Sequence, residues 1–456
     1  MRMTRTMART ALLVAPLAIA GCACDAVTDP PMDELDAARE RRDAGPRPDT
    51  DERLDAATEE DVGPVDVFFP EGWDGGPPGS LACVHTHRMG EDLFLLSRDG
   101  RKDVPSFTSV ASGAGELVAV YSSTDFVPGS GQRNLEVFRL RSSGADPVVP
   151  PALIPGTEGA SLPTLVAGDD GYWLSYVQGG SILVARFDAS FAPVGAPSTV
   201  VSASPSVPPQ LVRTSTGGYV AWVSGVEIRG RPLDANGAPS GAERLLLMGS
   251  SAFQQASLER VGAEDALALA WADGGRPRVA RLDPSTGTLG PASDLSGDPG
   301  IFTSLDMAGI SSAGDMGEVP LAGAAVYDLN DLGFRDVVFR VVSESGSSSL
   351  PVATVAAGGD QAWGATVAPY LSGYAVAYRA MVAGLPRPVL RVGYLDREGC
   401  RVGAVSDRYV VGALGSATGA PAELGVEGGT MLIVWSEERD TYFEYWAATL
   451  TCTERS

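Results

Sequence analysis

The chain has 456 residues and a formal charge of −23, with 57 acidic side chains against 34 basic ones. That balance excludes nucleic acid as a partner, because phosphate contacts need basic residues. With 55 Gly and 33 Pro, regular structure is interrupted too often for long helices or coiled coils, yet a hydrophobic content of 44% lets most of the chain bury a core. The length suits about three average domains or one large domain built from repeats.

The charge is unevenly spread. Residues 1–21 carry Arg2, Arg5 and Arg9 and no acid, a charge of +3. Residues 25–80 hold 17 acids and 5 arginines, a charge of −12, which leaves −14 for residues 81–456. The arginines precede an apolar run, Ala11–Ala20, that is far shorter than the ~20 residues a membrane span needs. Residues 1–21 therefore read as an export signal. The run ends in Ile19-Ala20-Gly21-Cys22, which resembles the lipobox of bacterial lipoproteins. The resemblance implies cleavage before Cys22 and lipidation of its thiol, and Ala23 in place of Asp implies sorting to the outer membrane. From Cys22 to residue 80 the chain is acidic and rich in Pro, Asp and Ala. Such a composition predicts a solvated tether with an r.m.s. reach of about 40 Å.

Residues 81–456 repeat. An aromatic closes an apolar run seven times, at Tyr121, Tyr176, Trp222, Trp271, Tyr327, Tyr378 and Trp435, with spacings of 55, 46, 49, 56, 51 and 57. Each run reads as a short buried strand, such as Val118-Ala119-Val120-Tyr121. An apolar residue precedes the aromatic by 11 positions at Val110, Leu165, Leu211, Val367 and Leu424. Leu258 stands 13 before Trp271, and Leu305 stands 22 before Tyr327, as if residues were inserted. Beyond the aromatic come Phe187-Asp188, Leu233-Asp234, Leu282-Asp283 and Leu395-Asp396, with Gly237, Gly287 and Gly399 after three of them. An Asp that accepts from its own backbone, followed by a Gly at positive φ, predicts a hairpin turn.

Each unit thus contains four strands in about 50 residues, the content of a propeller blade. The expected fold is all-β: a seven-bladed β-propeller of four-stranded blades over 81–456. The repeat pattern resembles that of bacterial outer-membrane lipoproteins with a seven-bladed propeller domain. The last unit ends too soon for its own fourth strand, so Leu81–His87 or Asp92–Ser97 should supply it and remove the open edge.

Of the five cysteines, Cys22 is assigned to lipid. Export permits disulfides, and Cys83–Cys452 would lock the ring, worth about 5 kcal/mol at most in the chain-entropy model. Cys400–Cys452 is the other pairing open to Cys452. His85 and His87, the two histidines, alternate with Cys83 on one short strand. They form no metal set, since one strand rarely converges on an ion, and no cofactor is expected.

Two histidines leave little scope for Ser-His-Asp or Cys-His catalysis, so no catalytic residues are assigned. The loops after the recurring aromatics share one face in a propeller, and they hold Asp125, Asp328, Asp331, Arg379, Glu437 and Glu438 as candidate ligand-binding residues. The expected function is a monomeric, lipid-anchored binding or scaffold protein of the cell envelope, touching the membrane through Cys22 and contacting a protein or glycan through that face. The alternative is a carbohydrate-active propeller enzyme with paired carboxylates.

Overall fold

The computed structural model describes residues 81–84, 93–99, 107–123, 133–142, 147–253, 255–261, 265–273, 275–295, 305–309, 323–331, 334–342, 353–356, 361–370, 373–381, 389–395, 406–410, 422–438 and 443–454. The chain divides into units 1–63 and 64–456, and all described residues belong to the second. Cys22, Cys24, His85, His87, Asp125 and Cys400 lie outside the described residues.

The chain enters through β1 (Leu81–Val84) and β2 (Leu93–Asp99). Antiparallel sheets then follow in order. The first holds β3 (Thr108–Gly113), β4 (Glu116–Ser123), β5 (Asn134–Arg141) and β6 (Pro147–Leu153). The second holds β7 (Ser161–Gly168), β8 (Gly171–Gln178), β9 (Ser181–Phe187) and β10 (Ser198–Val201). The third holds β11 (Gln210–Thr214), β12 (Gly217–Ser224), β13 (Glu227–Leu233) and β14 (Arg244–Met248). In the fourth, β15 (Ala256–Arg260), β16 (Leu267–Asp273) and β17 (Arg276–Asp283) are flanked by two short pieces, β18 (Thr288–Leu289) and β19 (Ser293–Asp294). The fifth holds β20 (Leu305–Gly309), β21 (Gly323–Asp331), β22 (Phe334–Val342) and β23 (Ala353–Ala356). The sixth holds β24 (Gln361–Tyr370), β25 (Gly373–Met381), β26 (Val389–Leu395) and β27 (Ser406–Val410). The last combines β28 (Glu423–Glu427), β29 (Thr430–Glu438) and β30 (Phe443–Glu454) with β1 and β2.

Among the described residues the strands therefore fall into seven sheets, and the architecture is a β-propeller of four-stranded blades. The first strands adjoin one another in succession, β3 to β7, β11, β15, β20, β24 and β28, and β28 adjoins β3. Each hydrophobic cluster is shared by two successive sheets; Trp173 and Val184, for example, pack with Leu211 and Trp222. Every second strand is consequently covered on both faces. This is why its sequence is a continuous apolar run instead of an alternating one, as in β4, where every residue after Glu116 is buried.

The predicted Asp turns are present where the chain is described. Asp188 Oδ1 accepts from the Ser190 and Ala192 amides at 2.9 Å each, and Asp234 Oδ1 from those of Asn236 and Ala238 at 2.8 and 3.0 Å. Asp283 Oδ1 accepts from the Ser285 amide and hydroxyl at 2.9 and 2.7 Å, which pulls its carboxyl down to about 2. Gly237 and Gly287 supply the positive φ, +75° and +66°.

Both N-terminal candidates contribute to the closing sheet. β2 pairs with residues 443–448 of β30, and β1 pairs with residues 451–454, so two short segments share one long partner. Tyr121 of the first sheet stacks on Tyr445 of the last, with ring centroids 5.2 Å apart, and its hydroxyl donates to the Leu96 carbonyl at 3.3 Å. An uncovered β30 would present unpaired backbone groups. Deleting residues 81–99 is therefore expected to lower the melting temperature and to cause self-association, read by size-exclusion chromatography with light scattering. A monomer of unchanged melting temperature would contradict this role for β1 and β2.

Candidate functional site

The first strand of every sheet lines one cavity of ≈ 500 Å³. Strand pairing defines equivalent positions around it. Opposite the residue two before each recurring aromatic stand Val110, Leu165, Leu211, Leu258, Met307, Val367 and Leu424. Six of these match the apolar series read from the sequence. The exception is Leu305, whose place is taken by Met307: Leu305 pairs with Tyr327 itself, two residues out of step.

Successive residues of a strand point to opposite faces, so the residue before each apolar one shares a different face. Those residues are Ser109, Thr164, Gln210, Ser257, Asp306, Thr366 and Glu423, and all of them line the cavity. One polar side chain from each sheet thus meets in a ring. Sequence reasoning missed it, although every member is the polar neighbour of an apolar marker.

The ring is partly tied together by bonds that recur from sheet to sheet. A side chain of one sheet accepts from the backbone amide of the apolar residue in the next. Ser109 Oγ accepts from Leu165 at 2.9 Å, Ser257 Oγ from Met307 at 3.1 Å, and Asp306 Oδ2 from Val367 at 3.0 Å. Asp306 also accepts from the Thr366 hydroxyl at 2.8 Å and from the Ser257 hydroxyl at 3.4 Å. Its carboxylate is a junction between three sheets.

Glu423 differs. Its carboxylate, on a partly exposed residue of the cavity wall, accepts no hydrogen bond from any described residue. Burial first, and the charge of Asp306 second, push its carboxyl well above the usual carboxylate range. Burial also raises Asp306, against the lowering effect of its Val367, Thr366, Met307 and Ser257 hydrogen bonds. The acids on the wall are Glu259, Asp306 and Glu423; no Arg, Lys or His is among the described lining residues.

Of the candidates expected on the loop face, Asp331 and Glu438 stand at the ends of their strands and Asp328 stands within one, whereas Arg379 and Glu437 are buried. Asp328 and Asp331 are within β21, opposite Val337 and Phe334. Arg379 is in β25 and fully buried, donating from Nη2 to the Ser436 carbonyl of the next sheet at 2.9 Å. Its burial draws the guanidinium down to about 10, partly offset by the charge of Glu437. Glu437 is buried in β29 and accepts from Trp435 Nε1 at 3.2 Å. Glu438 ends β29, opposite Phe443. The second strands continue past the aromatic before they turn. That continuation places Arg379 and Glu437 in a seam between two sheets instead of at a solvated hairpin tip.

No protein-family model and no curated protein matches the sequence. Among solved structures, hydrazine synthase from Kuenenia stuttgartiensis is similar at 11% identity over 76% of this chain and 96% of that one, with a TM-score of 0.47. The Dos1 propeller is similar at 10% identity over 78% and 95%, with a TM-score of 0.42. TolB from Acinetobacter baumannii is similar at 12% identity over 75% and 80%, with a TM-score of 0.34. Likenesses of this size carry nothing about ligand or activity.

The raised Glu423 carboxyl predicts a pH dependence. A carboxyl raised by folding favours its protonated form, so its contribution to stability is full below the unfolded value of about 4.3 and is lost as pH rises through the folded value. Glu423→Gln, which stays neutral, is expected to melt higher than wild type at neutral pH. The two curves should converge in acid below about pH 4. Calorimetry across pH reads this, and a variant less stable than wild type at neutral pH would contradict it.

Proposed function

We propose that the chain is a lipid-anchored binding protein of the bacterial cell envelope, with its binding site in the central cavity of a seven-bladed propeller. The observation that carries this reading is the ring of polar side chains, one per sheet, on a cavity of ≈ 500 Å³. That volume falls within the range of small-molecule sites, about 300–1,000 Å³. The blade count is supported by the unbroken succession of first strands from β3 to β28 and back to β3.

The anchor rests on the sequence. Cys22 after Ile19-Ala20-Gly21 carries the lipid, Ala23 directs the protein to the outer membrane, and residues 22–80 form the tether. The protein acts as a monomer. Asp125, Asp328, Asp331 and Glu438 remain candidates for contact with an envelope protein or glycan, while Arg379 and Glu437 support that face from beneath.

The register also favours a disulfide. Cys83 is the direct antiparallel partner of Cys452. Such partners have Cα atoms about 4.5–5.5 Å apart, inside the span that a disulfide bridges. We propose this bond as the lock between the chain's two ends. Peptide mapping without reduction should recover residues 83 and 452 linked, and free thiols at both would refute it.

A second reading, glycan cleavage by paired carboxylates, draws on Asp306 and Glu423 sharing the cavity. Against it, Asp306 is held by donors from two neighbouring sheets and is poorly placed to act as a nucleophile. Turnover of a polysaccharide panel, lost in Glu423→Gln, would establish it.

Two measurements test the main reading. Cys22→Ser should release the protein from the outer-membrane fraction, and retention would end the anchor assignment. Thr164→Trp narrows the cavity of ≈ 500 Å³ and should weaken ligand-induced thermal shifts in a small-molecule screen. Shifts left undiminished by the substitution would place the site elsewhere.

A further inference from the structure

Resting on the cavity reading above, we propose that the cavity takes a small organic cation, an alkyl amine in its ammonium form, with Glu423 as the counter-ion.

Charge is the first argument. Three acids line the wall, Glu259 on β15, Asp306 on β20 and Glu423 on β28, and no basic side chain stands among the described lining residues. An anionic ligand would find no partner there. A cation would find acidic side chains and no basic one.

The second argument is the division of labour between the carboxylates. Asp306 is satisfied by the Val367 amide and by the Thr366 and Ser257 hydroxyls. Glu423 faces the same space with no hydrogen bond from a described residue. Glu423 is partly exposed on the cavity wall, so its carboxylate is accessible to a ligand N–H, a charge-assisted donor. The surrounding hydroxyls and amides of Ser109, Thr164 and Gln210 suit the remaining polar atoms of such a ligand, and Val110, Leu165 and Leu211 suit its methylenes.

The third argument separates an amine from a metal ion. Among the described residues no three His, Cys, Asp or Glu side chains converge as metal ligands would. The cavity volume also far exceeds that of a bare ion.

The binding step balances in protons. Without ligand the Glu423 carboxyl is raised above the usual carboxylate range, by desolvation first and the charge of Asp306 second, so its protonated form is favoured. The arriving ammonium pairs with the carboxylate, and the carboxyl proton leaves to solvent. Glu259 and Asp306 are the other titratable groups on the described wall, and both are acidic, so affinity should rise with pH through the titration of Glu423.

The test is isothermal titration of the full lipidated chain in detergent near neutral pH. The probes are 1,4-diaminobutane, its uncharged analogue 1,4-butanediol, and calcium chloride. The expected result is diamine affinity at least about tenfold above that of the diol, reduced about tenfold or more in Glu423→Gln. Any proton that Glu423 still carries at the working pH is released on binding, and buffers of different ionisation enthalpy read it. The melting curve of Glu423→Gln confirms that the variant is folded. Equal affinity for diol and diamine would overturn the cation assignment and leave the cavity reading standing. Calcium binding without diamine binding, or no binding by any probe, would also overturn it. Diamine binding left undiminished in both Glu423→Gln and Thr164→Trp would overturn this proposal together with the cavity reading.

Discussion

Each sheet of this protein is buried on both faces by its neighbours, and most of its other features depend on that constraint. A sheet with one wet face can alternate polar and apolar residues; a sheet between two others cannot. The second strands therefore read as unbroken apolar runs ending in a large ring, and Trp173, Trp222 and Trp435 are among the largest fully buried side chains. Sheets of similar shape packed face to face fan out, because their inner strands must converge where the outer ones diverge. Convergence brings the first strands together around a shared space, and their inward residues are released from the apolar requirement.

That release explains why polarity concentrates on the first strands. The ring residues Ser109, Thr164, Gln210, Ser257, Asp306, Thr366 and Glu423 occupy one register on seven strands. Three of them already serve the fold, holding the amide of the neighbouring strand. Asp306 extends this role with a carboxyl, whose fixed donors offset part of the desolvation that raises it. Glu423 has the same position without such donors among the described residues. The contrast between two carboxylates in one cavity, one satisfied by the fold and one left to whatever enters, gives the cavity its chemical direction.

The repeat was legible in the sequence because the double burial writes itself as a contiguous run, and an aromatic at a fixed place survives insertions elsewhere. The Asp turns were legible for a local reason, since Asp188, Asp234 and Asp283 bond within four residues of themselves. The site was not legible. A single Ser, Gln or Glu within a strand looks ordinary until strand pairing shows that seven of them share a register. Leu305 shows the limit of counting, because the distance from Tyr327 includes a long connection, and backbone pairing gives the place to Met307. Arg379 and Glu437 were misplaced for a related reason. Charge at the end of an apolar run suggests a solvated tip, but β25 and β29 continue and bury both residues between sheets.

The closing sheet has a consequence for the order of folding. Six sheets are built from strands adjacent in sequence and can form by local hairpin steps. The seventh joins β1 and β2 to β30, partners separated by nearly the whole folded chain, and pays its loop-closure entropy last. As it folds, then, the molecule spends its final interval as an open arc, with the edges of β3 and β28 unmet. Whatever shields that gap, a chaperone or the speed of closure itself, determines how much of the protein reaches its ring.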